Sequence, residues 1–108
     1  MKVMFVSDIH GSLNDTIQMI EVFNKEGADK LIVLGDILYH GPRNPLPSTY
    51  NPSEVEKLLN QYSQRIISIR GNCDSEVDQM VLEFEMMQDH SHLLLDDYHF
   101  FLTHGHKF

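Results

Sequence analysis

The chain has 108 residues and a formal net charge of −8, because 16 acidic residues oppose 8 basic ones. This length fits one domain over residues 1–108 and excludes a closed eight-unit α/β barrel, which needs about 250 residues. The acidic balance argues against binding to a nucleic-acid backbone or an anionic membrane surface. One cysteine excludes an internal disulfide, and no apolar run reaches the roughly 20 residues of a membrane span, so we expect a cytoplasmic protein.

The first half of the chain predicts two strands with one helix between them. An apolar run at 3–6 predicts a buried strand, and Ser12 then caps a helix that stops at Gly27. The expected apolar face of this helix comprises Leu13, Ile17, Ile20 and Phe23. A second strand is predicted at 31–34. The stretch 39–52 holds all four prolines and predicts a long loop, and such loops are often functional.

The second half predicts two helices, one strand and a hairpin. The pattern S-x-x-E at 53–56 matches a capping box and predicts the start of the second helix there. A third strand is expected at 66–69, followed by a short helix from Ser75 to about Phe84. Apolar runs at 93–95 and 98–103, joined by Asp96 and Asp97, predict a hairpin. This order predicts an α/β fold with a largely parallel sheet and an antiparallel or mixed addition at its end.

Potential metal ligands follow four of the predicted strands. Asp8 and His10 come after the first strand, Asp36 after the second, Asn72 after the third and His104 after the last. Sites in parallel α/β sheets form at the carboxyl ends of the strands. We therefore expect two carboxylates, two imidazoles and one amide to converge on one edge of the sheet.

A divalent cation would offset the repulsion between Asp8 and Asp36 in a partly desolvated cleft. The mixed nitrogen and oxygen donors suit Mn²⁺, Fe²⁺, Zn²⁺ or Co²⁺ better than Ca²⁺ or Mg²⁺. Five ligands allow two ions that share a carboxylate, for which Asp36 is the central candidate. Two such ions activate water and hold a phosphoryl group, so an acidic protein can still bind an anionic substrate.

Four short motifs together resemble the calcineurin-like metallophosphoesterases, and most of all their small bacterial phosphodiesterases. They are D-x-H at 8–10, G-D at 35–36, G-N-x-D at 71–74 and H-G-H at 104–106. Each motif alone is weak, but here they occur in the family order, each after a predicted strand. The resemblance implies an α/β/β/α sandwich, of which this chain covers the N-terminal β-α-β-α-β portion and a following hairpin.

The resemblance also implies a role for each ligand. Asp8 and His10 would bind a first metal, Asp36 would bridge both metals, and Asn72 and His104 would bind the second. A hydroxide between the two ions would attack phosphorus in line. The implied ions are Mn²⁺ by preference, with Zn²⁺, Fe²⁺, Co²⁺ or Ni²⁺ as substitutes.

The chain departs from the family pattern in two places. Cys73 stands where the family commonly has a histidine that contacts the phosphate or protonates the leaving group, and a thiol is a poor acid for that purpose. No closing G-H-x-H motif follows His106, whose role the sequence leaves open. We therefore expect the domain to continue beyond this chain, and the chain alone to hold metal weakly and to be inactive.

The remaining candidate residues each have a structural alternative. Cys73 and Asp74 are assigned to catalysis, but Cys73 could be a half-buried thiol and Asp74 could cap the next helix. Arg43 and Asn44, in the proline-rich loop, are assigned to binding phosphate, and a solvated loop arginine is the alternative.

The predicted function is metal-dependent hydrolysis of small phosphodiesters. A phosphomonoesterase at the same site and an inactive interaction scaffold are the alternatives, and a receiver-like domain is disfavoured because it leaves Asn72 and His104 unexplained. The sequence leaves a homo-oligomer open.

Overall fold

The computed structural model describes residues 1–42 and 45–106. Its helices and strands follow in the predicted order, with one 3₁₀ turn at Ser63–Arg65 before the third strand. The elements are β1 (Val3–Val6), α1 (Leu13–Lys25), β2 (Lys30–Val33), α2 (Pro52–Asn60), β3 (Ile66–Ser68), α3 (Glu76–Val81), β4 (His90–Leu95) and β5 (Tyr98–Thr103).

The first three strands form a parallel sheet with β2 in the middle. Leu31 of β2 pairs with Met4 of β1 on one side and with Ile66 of β3 on the other. The last two strands form an antiparallel pair in which Leu93 lies opposite Phe100. The predicted parallel sheet and the antiparallel hairpin are therefore both confirmed.

Both faces of the parallel sheet are buried, which explains why its strands are continuous apolar runs. On one face, Leu31 and Val33 join a core with Phe23 of α1 and with Val55 and Leu59 of α2. All five side chains are fully buried.

The opposite face of the parallel sheet packs against the hairpin. Ile32 and Ile69 contact a second core that includes Leu93, Phe100 and Leu102. The layers are therefore helices, parallel sheet and hairpin, in that order.

The packed face of α1 differs from the prediction. Ile17 is 41% exposed, whereas Thr16 and Met19 are buried beside Ile20 and Phe23. The helix is thus rotated so that Thr16 faces inward, and its hydroxyl is satisfied because it donates to the Ser12 carbonyl at 2.8 Å.

Three predicted element boundaries differ from the structure by two residues or more. Helix α2 begins two residues earlier than its predicted capping box, with Asn51 as N-cap and Pro52 in the first turn, where a missing N–H is harmless. Helix α3 ends at Val81 rather than near Phe84, although Ser75 does cap it. Strand β4 begins at His90 rather than Leu93, because its outward positions hold histidines that hide the apolar alternation. Within the described ranges, no helix is both long enough and apolar enough to cross a membrane.

Candidate metal centre

The loops after β1 and β2 run side by side and carry three of the predicted ligands. The amide of Asp8 donates to the Gly35 carbonyl at 3.0 Å, and the amide of His10 donates to the Asp36 carbonyl at 2.9 Å. The parallel pairing of the two strands thus continues past their ends. It places Asp8, His10 and Asp36 at the same edge of the sheet, as the strand order predicts.

These three residues share an uncommon backbone conformation. The φ angles are +57° at Asp8, +50° at His10 and +59° at Asp36. The left-handed region costs an L-residue roughly 1–2 kcal/mol, although Asp and His tolerate it better than most. Such strain concentrates at functional sites. Only the residue types, Asp and His, hint at this backbone conformation in the sequence.

The side chains of two histidines and two aspartates meet at this edge. The Nε2 of His10 lies 3.1 Å from Asp8 Oδ1 and 3.6 Å from Asp36 Oδ2. The Nε2 of His104, which follows β5, lies 3.3 Å from the same Asp36 oxygen and 4.0 Å from Asp8 Oδ1. The Asp36 side chain is 3% exposed and that of Asp8 is 52% exposed, so the cluster opens to solvent on the Asp8 side.

Backbone carbonyls fix the orientation of both imidazole rings. The Nδ1 of His10 lies 2.8 Å from the Tyr39 carbonyl, and the Nδ1 of His104 lies 2.6 Å from the Leu34 carbonyl. A carbonyl only accepts, so each Nδ1 must carry the proton. In a neutral ring the Nε2 lone pair then points at carboxylate oxygens.

The orientation of the two Nε2 lone pairs indicates whether these side chains can bind a metal ion. Lone pairs facing carboxylates repel, and either a second proton on each ring or a cation between the groups relieves the repulsion. Histidines that bind metals characteristically donate their other N–H to a carbonyl or carboxylate, as both rings do here. The donor set therefore fits a divalent cation.

Two groups of possible ligand atoms share Asp36. One comprises Asp8, Asp36 and His104, and the other comprises His10, Asp36 and Cys73; within each, the ligand atoms lie within 4.8 Å of one another. The shared residue is the one expected to bridge. The grouping differs from the implied pairing, because Asp8 is grouped with His104 rather than with His10.

The loop after β3 brings Asn72 and Cys73 to the same edge. The Cys73 amide donates to Asp36 Oδ1 at 2.8 Å, and the exposed Asn72 donates its side-chain amide to Cys73 Sγ at 3.7 Å. Asn72 is therefore adjacent to the cluster through its contact with Cys73. His106 is exposed and its ring centroid lies 5.4 Å from that of His104, and it belongs to neither group. Arg43 and Asn44 lie outside the described residues.

The pKa values at the cluster move in different directions. Burial raises the pKa of Asp36 more than the Cys73 amide lowers it. Burial also favours the neutral form of Asp8, but the hydrogen bond from Ser7 and the neighbouring imidazoles of His10 and His104 prevail and lower its pKa. Burial, reinforced by the charges of Asp36 and Asp74, raises the pKa of Cys73. The raised pKa favours the thiol form of Cys73, which donates weakly, over a nucleophilic thiolate.

The side chain of Asp74 connects the loop after β2 to the loop after β3 through hydrogen bonds to backbone amides. Its buried carboxylate accepts backbone N–H groups from Asp36 at 2.8 Å, from Ile37 at 2.9 Å and from Gly71 at 2.7 Å. The side chain does not cap α3, since Ser75 and Asp78 form that capping box. All three of these bonds position the backbone around Asp36.

Close contact between two glycines holds the same loops together. A Cβ on Gly35 would overlap the Gly71 backbone, at 2.6 Å from its Cα, and Gly35 also has a φ of +97°. A Cβ on Gly71 would lie 2.7 Å from the Asp36 amide nitrogen. Neither position accepts a larger residue without separating Asp36 from the β3 loop.

We predict that Gly35→Ala lowers the free energy of unfolding by about 3 kcal/mol or more, through backbone strain and overlap. Gly27→Ala is the matched control, because Gly27 also has a positive φ, +63°, but has no atom within 4 Å of its added Cβ. Gly27→Ala should lower the free energy of unfolding by about 1 kcal/mol, through backbone strain alone. Urea unfolding measures both, and equal losses would refute the close-contact explanation.

The chain belongs to the calcineurin-like phosphoesterase family, whose model matches residues 1–107. The phosphodiesterase YfcE of Escherichia coli strain K12 is 52% identical over 108 residues, which are 100% of this chain and 59% of that protein. A phosphodiesterase of Methanocaldococcus jannaschii is 30% identical over 112 residues, covering 98% of this chain and 60% of the relative.

The solved structure of YfcE, described as a phosphoesterase from E. coli, superposes with a TM-score of 0.97 at 51% identity. The match covers 99% of this chain and 59% of that one, so the chain spans 59% of the length of these matched proteins. The predicted family and its metallophosphoesterase fold are confirmed. Membership of this family implies divalent metal ions.

Proposed function

We propose that this chain provides the metal-binding part of a phosphodiesterase active site. Asp8, His10, Asp36, Asn72 and His104 would hold two divalent cations, with Asp36 between them. The observation that carries this proposal is the orientation of both imidazoles, whose Nδ1 atoms are held by carbonyls and whose Nε2 atoms point to the same Asp36 oxygen.

Manganese is the proposed ion. The donors are imidazole nitrogens and carboxylate and amide oxygens, a set that suits Mn²⁺. Zn²⁺, Fe²⁺, Co²⁺ and Ni²⁺ are the substitutes that the same donors accept.

The chain's own residues would position the reacting groups. When bound, divalent cations supply Lewis acidity and an activated water for attack at phosphorus. The half-exposed Asp8 lies at the solvent side of the cluster, where a phosphate ester would enter. The Cys73 thiol would donate a hydrogen bond to a phosphoryl oxygen, and Asp74 would keep the backbone of Asp36 in place. Arg43 and Asn44 would bind the phosphate from the proline-rich loop.

The diester preference rests on the relatives that match this chain over 98–100% of its length, which are named phosphodiesterases. A Cys73 thiol is a weak acid, so among diesters it would favour those whose leaving groups depart without much protonation.

We expect the natural protein that carries this chain, supplied with Mn²⁺, to hydrolyse bis(p-nitrophenyl) phosphate at least about tenfold faster than p-nitrophenyl phosphate. The two substrates share a chromogenic leaving group, so the ratio reports the number of ester bonds. Calorimetric titration with Mn²⁺ accompanies the assay, and two bound ions per chain are expected.

Two results would contradict the proposal. Faster turnover of the monoester would favour a phosphomonoesterase at the same site. A correctly folded protein that binds no Mn²⁺ and turns over neither ester would favour the interaction scaffold.

A further inference from the structure

The two carboxylates of the cluster are held in the same way. Asp36 Oδ1 accepts the Cys73 amide at 2.8 Å, and Asp36 Oδ2 faces the two imidazoles. Asp8 Oδ2 accepts the Ser7 hydroxyl at 2.6 Å, and Asp8 Oδ1 faces the same imidazoles. In each carboxylate, one oxygen is therefore occupied by a hydrogen-bond donor and the other is directed into the cluster.

The bond from Ser7 has the length of a strong interaction. A hydroxyl that donates to an ionised carboxylate lies about 2.5–2.7 Å from it, and such bonds are about twice as strong as neutral ones. The Ser7 Oγ also lies 3.3 Å from the Leu34 carbonyl, the oxygen that accepts His104 Nδ1. A hydroxyl has a single proton, which goes to the closer and charged acceptor. Ser7 thus lies between the Asp8 carboxylate and the carbonyl that orients His104.

We propose that Ser7 is a positioning residue for metal binding, whose hydroxyl keeps Asp8 Oδ1 directed at the cation. This inference rests on the proposed function, since it concerns the same metal centre. Asp8 needs such a restraint because its side chain is 52% exposed and samples several rotamers when nothing holds it. Asp36 needs less, because it is buried and is also held by the Cys73 amide.

The restraint from Ser7 is local to one loop. Ser7 and Asp8 are adjacent in the chain, so their contact forms within the loop after β1 and needs no solvent-exposed surface. Removal of the hydroxyl leaves the charge of Asp8 in place. The expected defect is therefore one of orientation, which lowers metal affinity without removing a ligand.

The test compares Ser7→Ala with Ser7→Thr in the natural protein that carries this chain. Loss of a group that orients a metal ligand typically lowers affinity by about 10–100-fold, so Ser7→Ala should weaken at least one of the two Mn²⁺ binding steps by about tenfold or more. Calorimetric titration measures this affinity. Ser7→Thr keeps a hydroxyl at the same position and should bind Mn²⁺ as the wild type does.

Ser53→Ala is the matched control, because it removes an exposed hydroxyl from the first turn of α2. Its Mn²⁺ affinity should equal that of the wild type. Two further readouts separate positioning from a merely structural role. Excess Mn²⁺ should restore hydrolysis of bis(p-nitrophenyl) phosphate in Ser7→Ala, since mass action compensates for weak binding. Urea unfolding of the metal-free protein should be the same for Ser7→Ala and the wild type.

Three results would overturn the role of Ser7 while leaving the proposed function intact. They are an unchanged Mn²⁺ affinity in Ser7→Ala, an equal loss of affinity in Ser7→Thr, and a loss of turnover that excess Mn²⁺ does not restore. A wild-type protein that binds no Mn²⁺ would instead refute the proposed function, and the role of Ser7 with it.

Discussion

Replacing Asp36 with asparagine is expected to remove metal from both proposed positions while leaving the protein folded. Asp36 belongs to both groups of ligand atoms, and its Oδ2 is the oxygen that both imidazoles approach. Asparagine tolerates the positive φ of this position and keeps an oxygen for the Cys73 amide. Its NH₂ group can then donate to the Nε2 lone pairs, in place of the cation.

The expected loss of Mn²⁺ affinity is about 100-fold or more. Removal of a side chain that only orients a metal ligand already lowers metal affinity by about 10–100-fold. Elemental analysis and calorimetric titration should show two ions per chain in the wild type and none at comparable concentration in Asp36→Asn. Asp15→Asn serves as the control, because it removes an exposed carboxylate from the first turn of α1. If Asp36→Asn retains both ions, Asp36 is not the shared ligand.

The positions of the site residues follow from the order of the strands. Asp8, Asp36 and Asn72 each follow a strand of a parallel sheet, and parallel strands bring their carboxyl ends together whatever the separation along the chain. The apolar runs needed to locate those strands are short but unbroken, because both faces of the sheet are buried. The convergence was therefore predictable without knowledge of the fold family.

The fine geometry of the cluster was not predictable in the same way. The carbonyls of Leu34 and Tyr39 orient the two imidazoles. Every residue has a backbone carbonyl, so the residue types at these positions do not indicate this interaction. The hydrogen bonds of Asp74 were not predictable either, because its carboxylate accepts backbone amides from two loops. The buried face of α1 was predicted incorrectly for a related reason. Tertiary packing buries Met19 and leaves Ile17 exposed, although both residues are apolar and the sequence pattern does not distinguish them.

Loss of the Asp74 carboxylate is expected to be the most destabilising single change near the site. The side chain is 3% exposed and accepts three backbone N–H groups, which Asp74→Ala leaves buried without an acceptor. Each such group costs about 1–3 kcal/mol, so a total of about 3–5 kcal/mol is expected once water reaches part of the space. That is a large share of a typical 5–15 kcal/mol of stability.

Asp74→Asn distinguishes positioning from catalysis. The one oxygen of asparagine can keep the bonds to Asp36 and Gly71, while its NH₂ group faces the Ile37 amide. The free energy of unfolding should therefore fall by about 1–2 kcal/mol. Asp78→Ala is the control, since that carboxylate accepts the Ser75 amide in the capping box of α3, and its removal should lower the free energy of unfolding by about 1 kcal/mol. Urea unfolding gives the free energies, and hydrogen exchange should quicken at the amides of Asp36, Ile37 and Gly71. Unchanged exchange at these amides in Asp74→Ala would exclude the positioning role, because those are the bonds through which Asp74 holds the backbone around Asp36.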